Sequence, residues 1–519
     1  MDVHVGQHDD RCRGLECLRC LSNETQGDAQ GRDEHLKMHS SIIIHAMRTA
    51  QRVLSVALIA ASVTTYAQRL PIGNAIRQFV TVDNAVVALT HARVIDGTGG
   101  VVRSDQTVIL RDGLIAAMGP AASTPVPEGA RVLDLTAKTL LPGMVMVHEH
   151  LYYPTGSGVY GQLGESFVRL YLAGGVTTMR TGGNVNGFMD INMKKLVDAG
   201  SKAGPAIDAT APYLNGPNTF IQMRALKGPE DARRQVNYWA DEGATSFKAY
   251  MQISRADLGA AIDEAHKRGI KVTGHLCSVT YSEAADLGID NLEHAFLAST
   301  DFVPTKLPDV CPGQGTGQQS IAALDENGEP FKALARKLIE KKVTLTTTPA
   351  VFETFTPGRP LPPGLEVLVA PLKEQFEQGY ARTAKNVESI YARLFPKALK
   401  LDLAFARAGG TLIAGTDPTG GGGVVPGFSN QRTVEILVEA GFTPAEAIKI
   451  VTLNGAEYLG RGKTIGSIAV GKQADLMVIA GDPSTTIADI RKVELVFRQG
   501  IRFDSARLIA SVSGRVGIF

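Results

Sequence analysis

The apolar and polar positions divide the chain into two textures. From about residue 78 to 140, short alternating runs (AVVALTHARVID, QTVILRDGLIAAMG, ARVLDLTAKTLLPG) are separated by DGTGG, RDG and GP. Period-two alternation broken by turn residues predicts a small antiparallel sheet or sandwich. The same texture returns near the end, in IGSIAVGKQADLMVIAG and KVELVFRQGIRFD. Two β-rich ends around a different middle predict one discontinuous β-sandwich domain, made of residues 68–140 and 464–519.

In the middle, strand-length apolar runs alternate with helical patterns. Candidate strands are 143–148, 175–181, 206–212, 245–250, 271–276, 291–296, 343–349 and 411–417. Strands separated by helices predict an α/β fold, here a (β/α)8 TIM barrel over residues 141–463. The clearest crossover helix is SRADLGAAIDEAHKRG, with Ser254 as its cap, Leu258, Ile262 and Ala265 on one face, and Gly269 as its stop. His266 belongs to the surface at that helix's C-terminal end. Thr443-Pro-Ala-Glu446 reads as a capping box with proline at the first helical position. Pro- and Gly-rich connections at 304–318, 356–364 and 418–427 read as lids. The run GRGKT at 460–464 resembles a phosphate loop, but Glu457 stands where that motif needs its first glycine.

Composition narrows the field. A chain of 519 residues exceeds one ordinary core. With 44% hydrophobic and 20% charged residues it has the balance of a globular protein. A net charge of +1 without a basic stripe argues against nucleic acid as a partner. Cys12, Cys17, Cys20, Cys277 and Cys311 do not make a disulfide framework. From Met47, the basic MRTAQR, the uncharged VLSVALIAASVTT and a small residue at Ala67 have the form of a signal peptide. Its apolar run is too short for a stable membrane span. Residues 47–67 therefore read as a signal peptide and 1–46 as a non-native or disordered leader. The mature chain is expected to begin near Gln68 and to be exported, to a periplasmic or secreted location.

Candidate chemistry lies at the ends of the middle strands. His148 and His150 stand in LPGMVMVHEHLYYP, Lys248 in ATSFKAYM, His275 in IKVTGHL, His294 in IDNLEHAF and Asp417 in GTLIAGTDP. A strand alternates its side chains, so His148 and His150 face one side and can grip one ion. Imidazole and carboxylate suit Zn²⁺ and related divalent metals. Taken singly, His275 or His294 could be a satisfied core histidine, Lys248 a snorkelling side chain and Asp417 the start of a turn. Taken together, all six fall at strand C-terminal ends, the face on which barrel active sites form.

With these residues the chain resembles the amidohydrolase superfamily, in the branch of imidazolonepropionase-like and Xaa-Pro dipeptidase-like members. The resemblance covers about residues 80–505 and rests on LPGMVMVHEH, Lys248, GHL, LEHAF, GTDP and IGSIAVGKQADLMVI. It implies that His148, His150 and Asp417 bind one metal, that His275 and His294 bind a second, and that Lys248, carboxylated by CO₂, bridges them. A protonated lysine has no lone pair for a metal, whereas a carbamate is carboxylate-like. The implied activity is cleavage of an amide C–N bond by a metal-activated hydroxide, with Asp417 as general base and then acid. Two Zn²⁺ ions are the expected cofactors, other divalent metals serving as well.

The chain departs from the dipeptidase-like pattern at His275-Leu276-Cys277, where relatives read His-Ala-Tyr, and at Arg180-Thr181, where relatives read Arg-Asp. Tyr250 and Arg180 are candidates for substrate binding in their place, and ordinary packing is the alternative for each. N-acyl amino acids, dipeptides or related amides are the expected substrates, in a pocket walled by Phe352, Phe355 and Tyr380. The alternatives are a cyclic amide (lactam) hydrolase, a deaminase, or a catalytically silent binding protein on the same scaffold. A homo-oligomer is expected, although no residue specifies it.

Overall fold

The computed structural model describes residues 69–517 apart from 157, 220 and 221. The signal peptide and leader expected over 1–67 lie outside the described residues.

The alternating segments at both ends join one nine-stranded sheet. Its strands are β1 (Val80–Val82), β2 (Val86–Val94), β3 (Arg103–Arg111), β4 (Leu114–Pro120), β5 (Arg131–Asp134) and β6 (Lys138–Pro142) from the first half. The far end of the chain returns to this sheet later. Met144–Glu149 follows as β7, Tyr152–Pro154 as β8, Tyr160–Gln162 as β9 and Val176–Thr181 as β10. Next come β11 (Ala206–Asp208), β12 (Ser246–Ala249), β13 (Lys271–Gly274), β14 (Asn291–Glu293), β15 (Thr344–Thr347) and β16 (Leu412–Ala414). The last three strands are β17 (Leu476–Ala480), β18 (Val493–Arg498) and β19 (Ile501–Asp504). The nine-stranded sheet runs β1-β19-β18-β17-β6-β2-β3-β4, with β5 beside β2, and β6 pairs antiparallel with β17. Its period-two pattern buries both faces. In β17, Leu476 and Val478 enter a core with Val87, Leu89, Val108 and Phe497, while Met477 and Ile479 enter the large core of the α/β region.

Past Gly143 the alternation stops, and every residue of β7 is buried. Continuous burial is the mark of a strand covered on both faces, as in parallel sheets. All eight strands expected in the middle are present, and they pair in parallel as two sheets, β11-β10-β7 and β12-β13-β14-β15-β16. Helices including Gly164–Ala173, Gly187–Asp198, Pro229–Asp241, Arg255–Lys267 and Phe428–Glu439 separate them. Between β11 and β12 the ladder reduces to the isolated bridges Thr210↔Ser246 and Leu214↔Ala249. Backbone bonds still cross that gap, with the N–H groups of Ala211 and Leu214 donating to the Ser246 and Lys248 carbonyls at 3.0 and 2.9 Å. At the other margin the N–H groups of Thr416 and Asp417 donate to the His148 carbonyl at 3.2 and 3.1 Å.

The local signals at helix starts hold. Ser254 Oγ accepts from the Asp257 N–H, and Thr443 with Glu446 forms a reciprocal capping box at Pro444–Lys449. His266 is a surface residue whose Nε2 pairs with Asp290 at 2.9 Å. Residues 314–318, expected within a loop, instead open the helix Gln314–Ala322. No helix among the described residues is long and apolar enough to cross a membrane.

Candidate metal centre

The six strand-end residues converge because the strands stop just where their side chains are needed. His148 lies within β7 and Lys248 within β12, while His150, His275 and His294 each follow a strand by one residue. All six line one cavity of about 380 Å³. His294 and Asp417 leave their strands in the left-handed region, at φ 64° and 55°. Non-glycine residues rarely adopt that conformation, and its cost is tolerated chiefly at functional sites. Two glycines make room for His148. A Cβ at Gly182 would meet its ring at 2.3 Å, and one at Gly415 would meet its Cβ at 2.4 Å.

Hydrogen bonds fix which imidazole nitrogen faces the cavity. His150 Nδ1 donates to the Gly183 carbonyl at 3.1 Å, and His148 Nδ1 donates to Glu293 Oε2 at 2.7 Å. Each ring then keeps its Nε2 lone pair, as carboxylate- and carbonyl-oriented metal ligands do. His150 Nε2 lies 3.2 Å and His148 Nε2 3.7 Å from Asp417 Oδ1. Two ligands about 2.1 Å from a tetrahedral ion sit about 3.4 Å apart, so these spacings suit a shared divalent metal. The ligand atoms of His148, His150 and Asp417 all lie within 4.8 Å of one another. The second pair stands beside them. The rings of His275 and His294 are 4.3 Å apart, those of His148 and His294 4.8 Å, and His294 Nδ1 is 2.8 Å from Thr348 Oγ1.

The electrostatics suit the same chemistry. Burial and then the nearby Lys248 push His148 down to about 4 and His275 to about 3, so both are neutral donors. Burial raises Asp417, yet His148, His150 and His294 together hold its carboxyl well below the usual range. Burial lowers Lys248 to about 8. Glu293 stays ionised against its burial because Lys248, Arg180 and His148 surround it.

Two expectations about the periphery are corrected. Arg180 is fully buried and binds Glu293 at 2.6 Å, with Tyr458 under its guanidinium, so it braces the site from within rather than facing the cavity. Ser246 on β12 and Thr273 on β13 accept from its Nη1. Tyr380 lines a separate cavity and donates to the Arg359 carbonyl. Tyr250, Phe352 and Phe355 do line the metal cavity.

Sequence reasoning missed Glu293, although it directly precedes His294. It also missed Tyr152, whose ring stacks on His150 at 4.4 Å, and Tyr213, whose hydroxyl is 2.5 Å from that of Tyr152. Tyr152 extends the alternation of His148 and His150 by one step, a signal that was readable. The disulfide Cys277–Cys311, with Cα atoms 4.8 Å apart, joins positions 34 residues apart and carried no spacing signature.

A buried cluster of four imidazoles, a carboxylate and a lysine at strand ends is suited to holding divalent metal. The model of the amidohydrolase family matches residues 393–502. An imidazolonepropionase from Porphyromonas gingivalis is 24% identical over 425 residues, 75% of this chain and 86% of that protein. Among solved structures, a Xaa-Pro dipeptidase with bound methionine in the active site superposes with a TM-score of 0.61 at 17% identity. That match covers 81% of this chain and 100% of the dipeptidase. Phenylurea hydrolase B gives 0.61 at 21% identity, covering 82% of this chain and 98% of its own. The chain is thus similar to the amidohydrolase family over residues 393–502 and to imidazolonepropionases over most of its length, and it shares the fold of the dipeptidase and the phenylurea hydrolase.

Proposed function

We propose that this chain is a metal-dependent hydrolase that cleaves an amide C–N bond in a small molecule. The observation that carries this reading is the His148–His150–Asp417 cluster sharing one cavity with Lys248, His275 and His294. His148, His150 and Asp417 would hold one divalent ion, and His275 with His294 a second. The nitrogen-rich donor set favours zinc. A metal in this site supplies Lewis acidity toward the amide carbonyl and toward water. Asp417 takes the proton of the attacking water and returns it to the departing nitrogen. Tyr152 and Tyr213 share one hydrogen bond through two hydroxyls, so a second O–H proton remains to donate to the carbonyl oxygen.

Lys248, between the two histidine pairs, is proposed to add CO₂ at its neutral amine, forming a carbamate and releasing one proton. Lys248→Ala should lose mainly the second metal, with partial rescue by short carboxylates. An unmodified amine in active enzyme would remove this bridge from the account.

The same reading takes the two parallel sheets as parts of a (β/α)8 barrel and the terminal sheet as a separate β-sandwich domain. It takes the chain as an exported homo-oligomer, without a nucleic-acid partner. The Cys277–Cys311 disulfide supports export, since such bonds persist in oxidising compartments. N-terminal sequencing from the native host should find a start near Gln68, and an intact Met1 would overturn this.

Product analysis with metal-loaded protein separates the reactions open to this centre. Linear amide cleavage yields two fragments, the result expected. Ring opening without a second fragment, or release of ammonia alone, would move the activity to a lactam or deamination substrate.

A further inference from the structure

Beside the metal cavity lies a second, smaller pocket of about 100 Å³ that no step above uses. The two share His275, Phe352 and Tyr391, so the small pocket adjoins the metal cavity beside His275. Its remaining walls are mainly apolar, including Met251, Leu276, Leu297, Ala298 and Pro312. Several polar groups at its margin are already engaged. Ser299 Oγ donates to Asp301 at 2.9 Å, Thr300 Oγ1 to the Cys277 carbonyl at 3.0 Å, and Gln318 Nε2 to Tyr391 Oη at 2.9 Å. A group entering this pocket therefore meets mostly carbon, sulfur and aromatic faces.

Size narrows the occupant. Apolar cavities of about 150 Å³ take up benzene, and this pocket is of that order and open at one side. Phe352 forms the wall between the two spaces, set edge-on to His294 at 5.6 Å and nearly parallel to Tyr391 at 6.4 Å. An aromatic ring entering here packs against these two rings.

The disulfide holds the pocket's shape. Cys277 lies two residues after His275, and its bond to Cys311 ties the segment before Pro312 to the strand end that carries this histidine. The pocket wall and the metal-facing histidine are thus braced by one covalent link.

We propose that this disulfide-braced pocket is a specificity subsite for a single aromatic ring carried by the amide substrate. This rests on the hydrolase reading given above, and it makes aryl-bearing amides the preferred substrate class. An aryl group anchored here restricts the amide to few orientations at the metal centre, which lowers the barrier by pre-paid positioning.

The test uses full-length metal-loaded protein and two readouts. In the first, fluorobenzene binding is followed by ¹⁹F NMR for the wild type, Ala298→Trp, which fills the pocket, and Cys311→Ser, which frees its wall. Saturable binding in the wild type, abolished in Ala298→Trp and weakened at least threefold in Cys311→Ser, is expected. In the second, specificity constants for a benzoyl and an acetyl amide of the same amine are compared. Their ratio should fall at least tenfold in Ala298→Trp. No saturable fluorobenzene binding in a folded wild type overturns the subsite, whatever the activity. Binding as expected, with no amide hydrolysed by any variant, leaves the pocket standing and overturns the hydrolase reading instead. A benzoyl-to-acetyl ratio unchanged in Ala298→Trp overturns the role in specificity.

Discussion

At the scale of single residues, Glu293 does the most to shape the centre without facing the substrate. It is fully buried, binds Arg180 at 2.6 Å and His148 Nδ1 at 2.7 Å, and lies 3.8 Å from Lys248. Its negative charge sets the His148 tautomer and offsets the buried Arg180 guanidinium. Glu293→Gln keeps the shape and removes the charge. Metal affinity should fall by about 10–100-fold, the usual cost of losing such a partner, as measured by competitive chelator titration. Unchanged affinity in a folded variant would show that Glu293 serves only Arg180. Asp402 is a separate case. Burial raises its carboxyl to about 7, against an ordinary value of 3.8, with Thr347 Oγ1 donating to it at 2.6 Å. The folded chain therefore binds this proton more tightly than the unfolded chain, so the stability it confers is complete below the unfolded value and is lost as pH rises toward 7. Asp402→Asn should stabilise the protein at pH 8 relative to pH 4, by on the order of 1–4 kcal/mol. Urea unfolding at the two pH values measures this, and an identical pH slope in both proteins would contradict it.

At the scale of elements, the alternation of β7 has consequences on both of its sides. While His148 and His150 face the cavity, Glu149 points the other way and accepts from Asn430 Nδ2 at 3.0 Å and from the Thr416 N–H at 3.1 Å. Burial pushes Glu149 up to about 8 against these bonds. The residue between the two histidines thus fastens the chain just before Asp417, and with it the start of the helix Phe428–Glu439, where Asn430 also accepts from the Gly427 N–H at 2.8 Å. Asn430→Ala leaves a buried carboxyl short of a donor, which costs about 1–3 kcal/mol. Because Thr416 adjoins Asp417, metal release should also quicken. Denaturant unfolding with stopped-flow metal release checks both, and a loss of stability with unaltered release would confine Glu149 to packing.

The strands themselves were legible because short β-prone runs recur between helical patterns, even where threonine fills a fully buried strand, as in Val176–Thr181 and Thr344–Thr347. Their ends were less so. The expected 291–296 and 411–417 shrink to Asn291–Glu293 and Leu412–Ala414, since His294 and Asp417 turn into left-handed backbone that no propensity anticipates. Arg180 was assigned to the substrate because strand-end position alone cannot tell a cavity-facing side chain from one turned into the sheet. The deciding partner, Glu293, is 113 residues away. The Cys277–Cys311 bond was hidden for the same reason, as chain distance gives no sign of spatial contact.

At the scale of the whole molecule, both ends of the described chain close one sheet, and its second face packs against the region that holds the centre. Met477 and Ile479 share a hydrophobic core with Met144 and Met146, which precede His148 on β7. The terminal sheet is therefore part of what positions the metal ligands, and the family resemblance at both ends of the chain has a physical reason. On the reading proposed above, this whole arrangement serves a hydrolytic metal centre built on His148, His150 and Asp417. Its most direct test is metal analysis coupled to amide hydrolysis, on wild-type protein as purified, after chelation, after return of Zn²⁺, and on His148→Ala. The account predicts bound divalent metal in the wild type, loss of turnover on chelation, recovery with Zn²⁺, and a His148→Ala protein that is folded, metal-poor and inactive. Full turnover by metal-free wild type, or by His148→Ala, would contradict it.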